Sequence, residues 1–544
     1  MARESERVPR LAVPNTDTLS ILLPALAAAL YVLVLVLNVR DVVAGLYTSA
    51  DLASAPVIAT LLERTPNEQS AVLGNYPWYE SLWFLRATEN FPYHRQLWEG
   101  APIALYFATV GLVAGATWAA LGRWAAVVTA AVLVALSGVG RIVFFAPNSH
   151  GTTAAHAALL AAALVLLARR ADRLRAWQLA VVAIALGVVT ALGVASDDLM
   201  APAAIGPAAG TAALLWWKSP RLRGVALAML GACVVALVLG HVLENRMLDS
   251  GIRHLPFELR FLAGDQIVNR IEGFVRASAS LAGGDIFTLP VAQGAGLGRL
   301  LALVLVAAGA WLVAGELRRR LRAPGALRRA PELRPEHACL VAHAGFWGLS
   351  AAATITAFVL GNVPADESAG RYIVTTWLAL GALLGLLAVR PGARRLLVSA
   401  SAALFVTTGA FALAREGDNE PPDAATRAEV NALARYAEQM DVRHGLAGYW
   451  TSANITWATR FRLELLAVRE CNVAGRSFCP INLHRVDSAY RPRGGRSMLV
   501  VDDRYLGLVA RPDPSHGRPI ASKRIGKLQA YVYRYDLRTR IGPA

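Results

Sequence analysis

The sequence predicts an α-helical polytopic membrane protein of about eleven transmembrane helices, followed by a small C-terminal α/β domain. Three observations predict it. The 544 residues are 55% hydrophobic and only 17% charged, whereas soluble domains carry about 25% charged residues. The apolar residues gather in repeated runs of about twenty, long enough for a helix to cross ~30 Å of hydrocarbon. After about 415 the runs stop, and short alternating segments with a capped helix replace them.

Residues 1–17 read as a cytoplasmic N-terminal segment containing Arg3, Arg7 and Arg10. The first apolar run is too long for a signal-peptide core and lacks a small-residue cleavage site, so it reads as a retained helix. The expected spans are 18–38, 101–121, 124–145, 151–168, 176–195, 201–217, 224–243, 298–315, 338–361, 371–389 and 396–413. The loops between them alternate in charge. One set holds Arg123, then Arg169, Arg170, Arg173 and Arg175, then Lys218, Arg221 and Arg223, then the arginine-dense stretch 318–334, then Arg390, Arg394 and Arg395. The short loops of the other set, APNSH, SDDLMA and GNVPADESAG, contain neither Lys nor Arg. This asymmetry places the N-terminus in the cytoplasm and the C-terminus outside. It also accounts for the net charge of +16, as arginine facing anionic lipid; nucleic-acid binding is set aside.

Two outer loops are long, 39–100 and 244–297, and carry amphipathic aromatic stretches such as YPWYESLWFL at 76–85. Such stretches lie as short helices along the interface. The chain thus divides into the segment 1–17, a transmembrane domain 18–414 and an extracytoplasmic α/β domain 415–544. In the last, PPDAATRAEVNALARYAEQM reads as a capped helix, and LAGYW (446–450), LELLAV (463–468), MLVVD (498–502) and QAYVYRY (529–535) read as strands. Cys471 and Cys479 lie close together there and suit a disulfide in an oxidising compartment. Cys233 and Cys339 fall in apolar runs as small hydrophobes. No zinc-type spacing occurs.

Ionisable residues collect at the outer helix ends: Asp41, Asp51, His150, Asp197, Asp198, Asp366, Glu367 and Arg371. Converging on one cavity, such groups suit group transfer, with a carboxylate taking the proton of an acceptor hydroxyl and cations holding a leaving phosphate. Each also has a plainer reading. Asp41 ends the first helix among headgroups, and Asp51 caps a short helix. Asp197 and Asp198 cap the sixth span, whose first turn holds Pro202. His150 is a solvated loop residue and His156 a packed one. Arg371 anchors at the interface, and Glu80, Glu89, His94 and Arg95 are polar faces of interfacial helices.

Several segments together resemble the GT-C class of polytopic glycosyltransferases, especially the bacterial branch related to protein mannosyltransferases and aminoarabinose transferases. SADLASAPVIATLL, with Asp51, is similar to the catalytic-aspartate segment of their first outer loop; Leu52 and Ala53 stand where a second acidic residue is usual, which keeps Asp41 beside Asp51. ASDDLMAPAAIGPAAGTAALLWW resembles their Ser-Asp helix start, here Ser196 and Asp198, and DESAGRYIVTTWLAL resembles their arginine-tyrosine motif, here Arg371 and Tyr372. HGLAGYWTSANITWAT, at 444–459, looks like the glycine-tyrosine-tryptophan stretch of bacterial tails.

The resemblance implies a GT-C-like transmembrane domain in a bacterial plasma membrane. It implies inverting transfer of a hexosyl or pentosyl group from a polyprenyl-phosphate donor to an envelope glycan, lipid or protein on the outer face. Asp51 would be the base, with Asp41 and Asp198 as further catalytic candidates. His150, Arg371, Tyr372 and Glu80 would bind donor or acceptor, and Arg253, His254 and Arg260 the lipid-linked phosphate. GT-C enzymes differ in metal use, so a divalent cation stays open as a cofactor and no metal ligand is assigned. Two other classes compete: an inactive scaffold of the same fold, and a transporter or flippase, which would place charge near the bilayer midplane.

Overall fold

The structure is a computed structural model that describes residues 16–46, 50–64, 70–73, 78–92, 94–146, 149–254, 260–262, 264–284, 296–322, 334–362, 367–416, 425–473, 476–481, 484–505, 512 and 516–542. The helices of the first part are α1 (Thr16–Leu46), α2 (Ala50–Arg64), α3 (Trp78–Thr88), α4 (His94–Leu121), α5 (Arg123–Val134) and α6 (Gly138–Phe145). Then come α7 (Gly151–Arg169), α8 (Ala176–Ser196), α9 (Gly206–Lys218), α10 (Arg223–Asp249) and α11 (Ile267–Leu281). The last of the bundle are α12 (Gly296–Arg322), α13 (Pro335–Leu360), α14 (Val374–Ala388) and α15 (Ala393–Glu416).

Among the described residues nine helices are long and apolar enough to cross a membrane, and a bent pair brings the total to ten. The chain is therefore a polytopic helical membrane protein, with fewer straight spans than the eleven expected. Two segments make the difference. Residues 201–218 are helical but divided, a π-turn at Ala201–Ile205 leading into α9. The expected span 124–145 is instead α5 and α6, bent by 95°. Ser137 causes the bend. Its hydroxyl accepts from the Gly140 amide at 2.9 Å, starting a new helix, and donates to the Ser280 and Leu281 carbonyls at 2.8 and 2.9 Å. The segment with Ser280 and Leu281 thus holds Ser137 at the break. Two spans also outrun their expected limits, α1 to Leu46 and α4 back to His94. Close helix approach is built on glycine: a Cβ on Gly187 or Gly240 would meet the Cβ of Val235 or Val194 at 2.7 Å or less.

The C-terminal part begins with α16 (Arg427–Gln439), whose Thr426 and Glu429 form a capping box. Then follow β3 (His444–Ala447), α17 (Tyr449–Ala458), β4 (Glu464–Val473), β5 (Arg476–Pro480), β6 (Arg485–Val486), β7 (Ser497–Asp502), β8 (Ala521–Ile525) and β9 (Leu528–Tyr533). Six of the strands form one sheet in the order β5-β4-β3-β7-β9-β8, with β3 parallel to β4 and β7. The expected strand 446–450 is half helix. Gly448, in an extended conformation, caps α17, and Tyr449 and Trp450 are its first turn. Cys471 and Cys479 are joined by a disulfide across the β4–β5 pair.

A second sheet decides how the parts are arranged. β1 (Ala71–Leu73) lies between β2 (Ile252–His254) and β6. Three short strands from both long loops and the C-terminal domain thus share hydrogen bonds, so all three segments occupy one end of the bundle. At the other end Arg395 pairs with Asp17 at 3.0 Å, and Glu316 with Arg320 at 2.9 Å and Arg394 at 3.6 Å.

Candidate functional site

At the end of the bundle that carries the C-terminal domain lies a cavity of about 860 Å³. The end of α1, the start of α4, α6, the end of α15, α16 and α17 enclose it. Its apolar wall includes Val39, Val42, Val43, Ile103, Ile142 and Leu413. Its charged lining is Arg40, Arg95, Arg141, Arg427 and Arg460, against the two carboxylates Asp41 and Glu99. Five guanidinium groups and two carboxylates leave an excess of positive charge beside hydrocarbon.

The broken helix supplies Arg141. A break frees carbonyls, and the Leu136 carbonyl accepts from the Tyr31 hydroxyl at 2.6 Å and from Arg141 Nη1 at 2.9 Å. Arg141 is 4% exposed. The 95° bend therefore carries a buried guanidinium to the cavity wall. Arg95 is held from three sides: Nε donates to Glu99 one turn on at 2.8 Å, Nη1 donates to the Trp457 carbonyl at 2.9 Å, and the guanidinium lies over the Trp457 ring. Arg427, at the start of α16, reaches Asp41 on α1 at 3.5 Å. These contacts dock the C-terminal domain on the bundle along the cavity rim.

A second group lies where α7, α8 and α14 begin or end at the same end of the bundle. His150 Nδ1 is 2.6 Å from Asp197 Oδ2. Thr153 donates to the same oxygen, and the Leu199 amide donates to Oδ1 at 2.9 Å. Burial by itself raises a carboxyl; here the His150 charge and hydrogen bond, the Thr153 hydroxyl and the Leu199 amide outweigh it, and Asp197 sits below the ordinary carboxylate value. The His150 ring lies 5.2 Å from that of Tyr372, over which the Arg371 guanidinium sits at 5.1 Å. Two turns along α7, His156 Nε2 meets Glu80 Oε1 at 2.6 Å, and the Glu80 amide donates to the Ser196 hydroxyl at 2.9 Å. This ties the aromatic helix α3 to the bundle.

The residues singled out in the sequence therefore separate. His150, Arg371 and Tyr372 come together, and Asp197 joins them as both helix-start acceptor and histidine partner. Asp198 is exposed beside it, its carbonyl accepting from the Ala201 amide. Glu80 pairs with His156 rather than standing on an open helix face. Asp41 lies in α1 and lines the cavity. Asp51 is in the first turn of α2, and its side chain lies outside the described residues. Arg253 is exposed on β2 opposite Val72. Arg260 is exposed, its amide donating to Asn362 at 3.1 Å. The side chains of His254 and Glu367, and all of Asp366, lie outside the described residues.

Arg40, Arg95, Arg141, Arg427 and Arg460 were not foreseen as one lining. One signal was available: Arg141 is a charge inside an apolar run, which marks a functional position by default. Among the described residues no group of three or more His, Cys, Asp or Glu is arranged to hold a metal ion.

No family model matches the chain, and no curated protein does. A solved structure of the oligosaccharyltransferase of Archaeoglobus fulgidus, in complex with zinc and sulfate, is similar over 81% of this chain, with a TM-score of 0.43 and 15% identity. The similar region covers 62% of that protein, so the chain spans less than two thirds of its length.

Proposed function

We propose that this chain is a membrane glycosyltransferase that moves a sugar from a polyprenyl-phosphate donor to an acceptor glycan, lipid or protein on the outer face of a bacterial plasma membrane. The observation that carries the reading is the cavity of about 860 Å³, in which five arginines face hydrocarbon side chains at the end of the bundle that holds the long loops. An amphiphile with a phosphate at its head and isoprene units behind it has the matching chemistry. The GT-C-like segments around Asp51, Ser196, Arg371 and Tyr372 support the same reading. So does the arginine asymmetry of the loops, which puts the N-terminus in the cytoplasm and residues 415–544 outside.

The reaction then runs as an inverting displacement. An acceptor hydroxyl attacks the anomeric carbon from the side opposite the phosphate. The bond from that carbon to the phosphate oxygen breaks, and its electron pair leaves on polyprenyl phosphate. Asp51 takes the hydroxyl proton; Asp41, on the cavity wall, is the second carboxylate that this role fits. The arginines stabilise the charge that develops on the phosphate. His150 and Arg371, positioned by Asp197 and Tyr372, bind donor or acceptor beside Asp198 and Glu80, while Arg253 and Arg260 contribute positive charge at the approach.

The test is in cells that depend on a plasmid copy of the gene. Asp51→Asn should abolish transfer and cause the polyprenyl-linked sugar to accumulate, while the protein level in membranes stays unchanged. Unaltered envelope glycans with Asp51→Asn remove that residue from catalysis, and unaltered glycans in the deletion overturn the enzyme reading.

A further inference from the structure

The cavity does not end at its arginines. Asn454, Trp457 and Ala458 of α17 line it, and these residues share one face of the helix with Trp450, at spacings of four, seven and eight. Trp450 therefore stands one turn, about 6 Å, beyond Asn454 along the same stripe. There its ring stacks on that of Tyr505, with centroids 6.1 Å apart and planes 25° from parallel. Its neighbour Tyr449 stacks in turn on His484, at 6.0 Å and 20°. Trp450, Tyr505 and Tyr449 are each part-exposed, and His484 is buried against Tyr449.

The topology explains why these rings meet. β3 passes through Gly448 into α17 and returns as β4 on one side of β3, whereas β7 lies on the other side. The chain thus reverses its winding between β3 and β7, and the crevice outside the carboxyl ends of such strands is where parallel sheets bind ligands. Trp450 follows β3 into this crevice, and Tyr505 follows β7. Polar groups stand beside the rings: the Thr451 hydroxyl donates to Asp502 Oδ2 at 3.3 Å, and Arg504 bridges Asp502 and Glu429 at 2.8 and 2.9 Å. This network fixes the end of β7 and therefore the angle of Tyr505.

We propose that Trp450 and Tyr505 form a carbohydrate subsite that holds the acceptor glycan next to the arginine cavity. A pyranose has an apolar face of C–H groups with partial positive charge, and an aromatic face carries negative charge density. Two rings locked in place by stacking give such a face a rigid platform at little entropic cost. The subsite lies along the helix face that leads out of the cavity, one turn beyond Asn454. The inference rests on the glycosyltransferase reading for the word acceptor; the sugar-binding surface itself does not.

The experiment uses the full chain in lipid nanodiscs. Saturation-transfer NMR measures binding of linear trisaccharides of glucose, mannose, galactose and arabinose, and a separate titration measures binding of polyprenyl monophosphate. At least one trisaccharide should bind in the millimolar range. Trp450→Ala and Tyr505→Ala should each weaken it at least about tenfold, Trp450→Phe should retain it, and Arg141→Gln should leave it unchanged while weakening polyprenyl monophosphate. Absence of binding across all four sugars, or wild-type binding by Trp450→Ala, overturns the subsite. Trisaccharide binding without any binding of polyprenyl monophosphate overturns instead the donor on which the glycosyltransferase reading depends.

Discussion

The His150–Asp197 pair makes a quantitative prediction. Asp197→Asn keeps the shape of the side chain and removes its charge. The carboxylate accepts from His150 at 2.6 Å, from Thr153 and from the Leu199 amide at 2.9 Å, and the two side chains of the pair are only 3% and 4% exposed. A hydrogen bond to a charged group contributes about 1.5–3 kcal/mol, and breaking a buried ion pair costs about 3–5 kcal/mol. Asn still offers an oxygen to the Leu199 amide, so the loss should be about 2–4 kcal/mol, inside the span of about 1.5–5 kcal/mol that the two ranges cover together. His150→Gln should cost a similar amount. Because both variants remove one interaction, the double variant should fall short of their sum by about 1.5–3 kcal/mol. Equilibrium unfolding of the full chain in mixed detergent micelles reads all four states of the cycle. A coupling below about 0.5 kcal/mol would show two independent residues rather than one pair, and the positioning role given to Asp197 would fall with it.

Three further outcomes are expected. Burial pushes the His484 imidazole from its ordinary 6.5 down to about 3. Between those values the unfolded chain binds a proton that the folded chain refuses, so this contribution is complete above 6.5 and is lost as pH falls toward 3. At about pH 4.5 the loss is on the order of 3 kcal/mol. His484→Asn, whose side chain tolerates the left-handed backbone at φ 54°, should therefore narrow the gap in thermal midpoint to wild type between pH 7 and about 4.5; a constant gap rejects the assignment. Gly445→Ala would put a Cβ 2.2 Å from the Met498 carbonyl oxygen on the neighbouring strand. It should cost at least about 1–3 kcal/mol and open the C-terminal domain to protease, whereas Gly298→Ala, with open space around it, should be neutral or stabilising. Arg95→Gln removes the hold on Glu99 and on the Trp457 carbonyl, so it should loosen the C-terminal domain on the bundle; hydrogen exchange over 449–460 unchanged from wild type would contradict that.

Hydropathy made the bundle legible because each span must solvate itself in lipid, and that demand is written locally in runs of apolar residues. The break at Ser137 was not legible. Val134, Ala135 and Leu136 read like any apolar helix, and the bonds that end it come from Ser280 and Leu281, far along the chain. The sheet of β1, β2 and β6 was hidden for the same reason, since strands of two or three residues carry no period. In the candidate site, His150, Arg371 and Tyr372 were visible as outer helix ends and as a resemblance. Asp197 is legible as an outer-end carboxylate and as a cap beside Asp198, but its pairing with His150 is a tertiary fact. The segment LAGYW reads as a strand because it is apolar and aromatic, whereas Gly448 ends the strand and starts a helix with Trp450 in its first turn.

The arginine-lined cavity is proposed to receive the phosphate of a polyprenyl donor. The most direct measurement is the affinity of the purified protein in nanodiscs for polyprenyl monophosphate against the uncharged polyprenol of equal length. A preference for the phosphate of at least about tenfold is expected, falling by about tenfold or more in Arg141→Gln, in keeping with about 1.5–3 kcal/mol for a charged hydrogen bond. Equal affinity for the two lipids, or a preference that Arg141→Gln leaves intact, would contradict it.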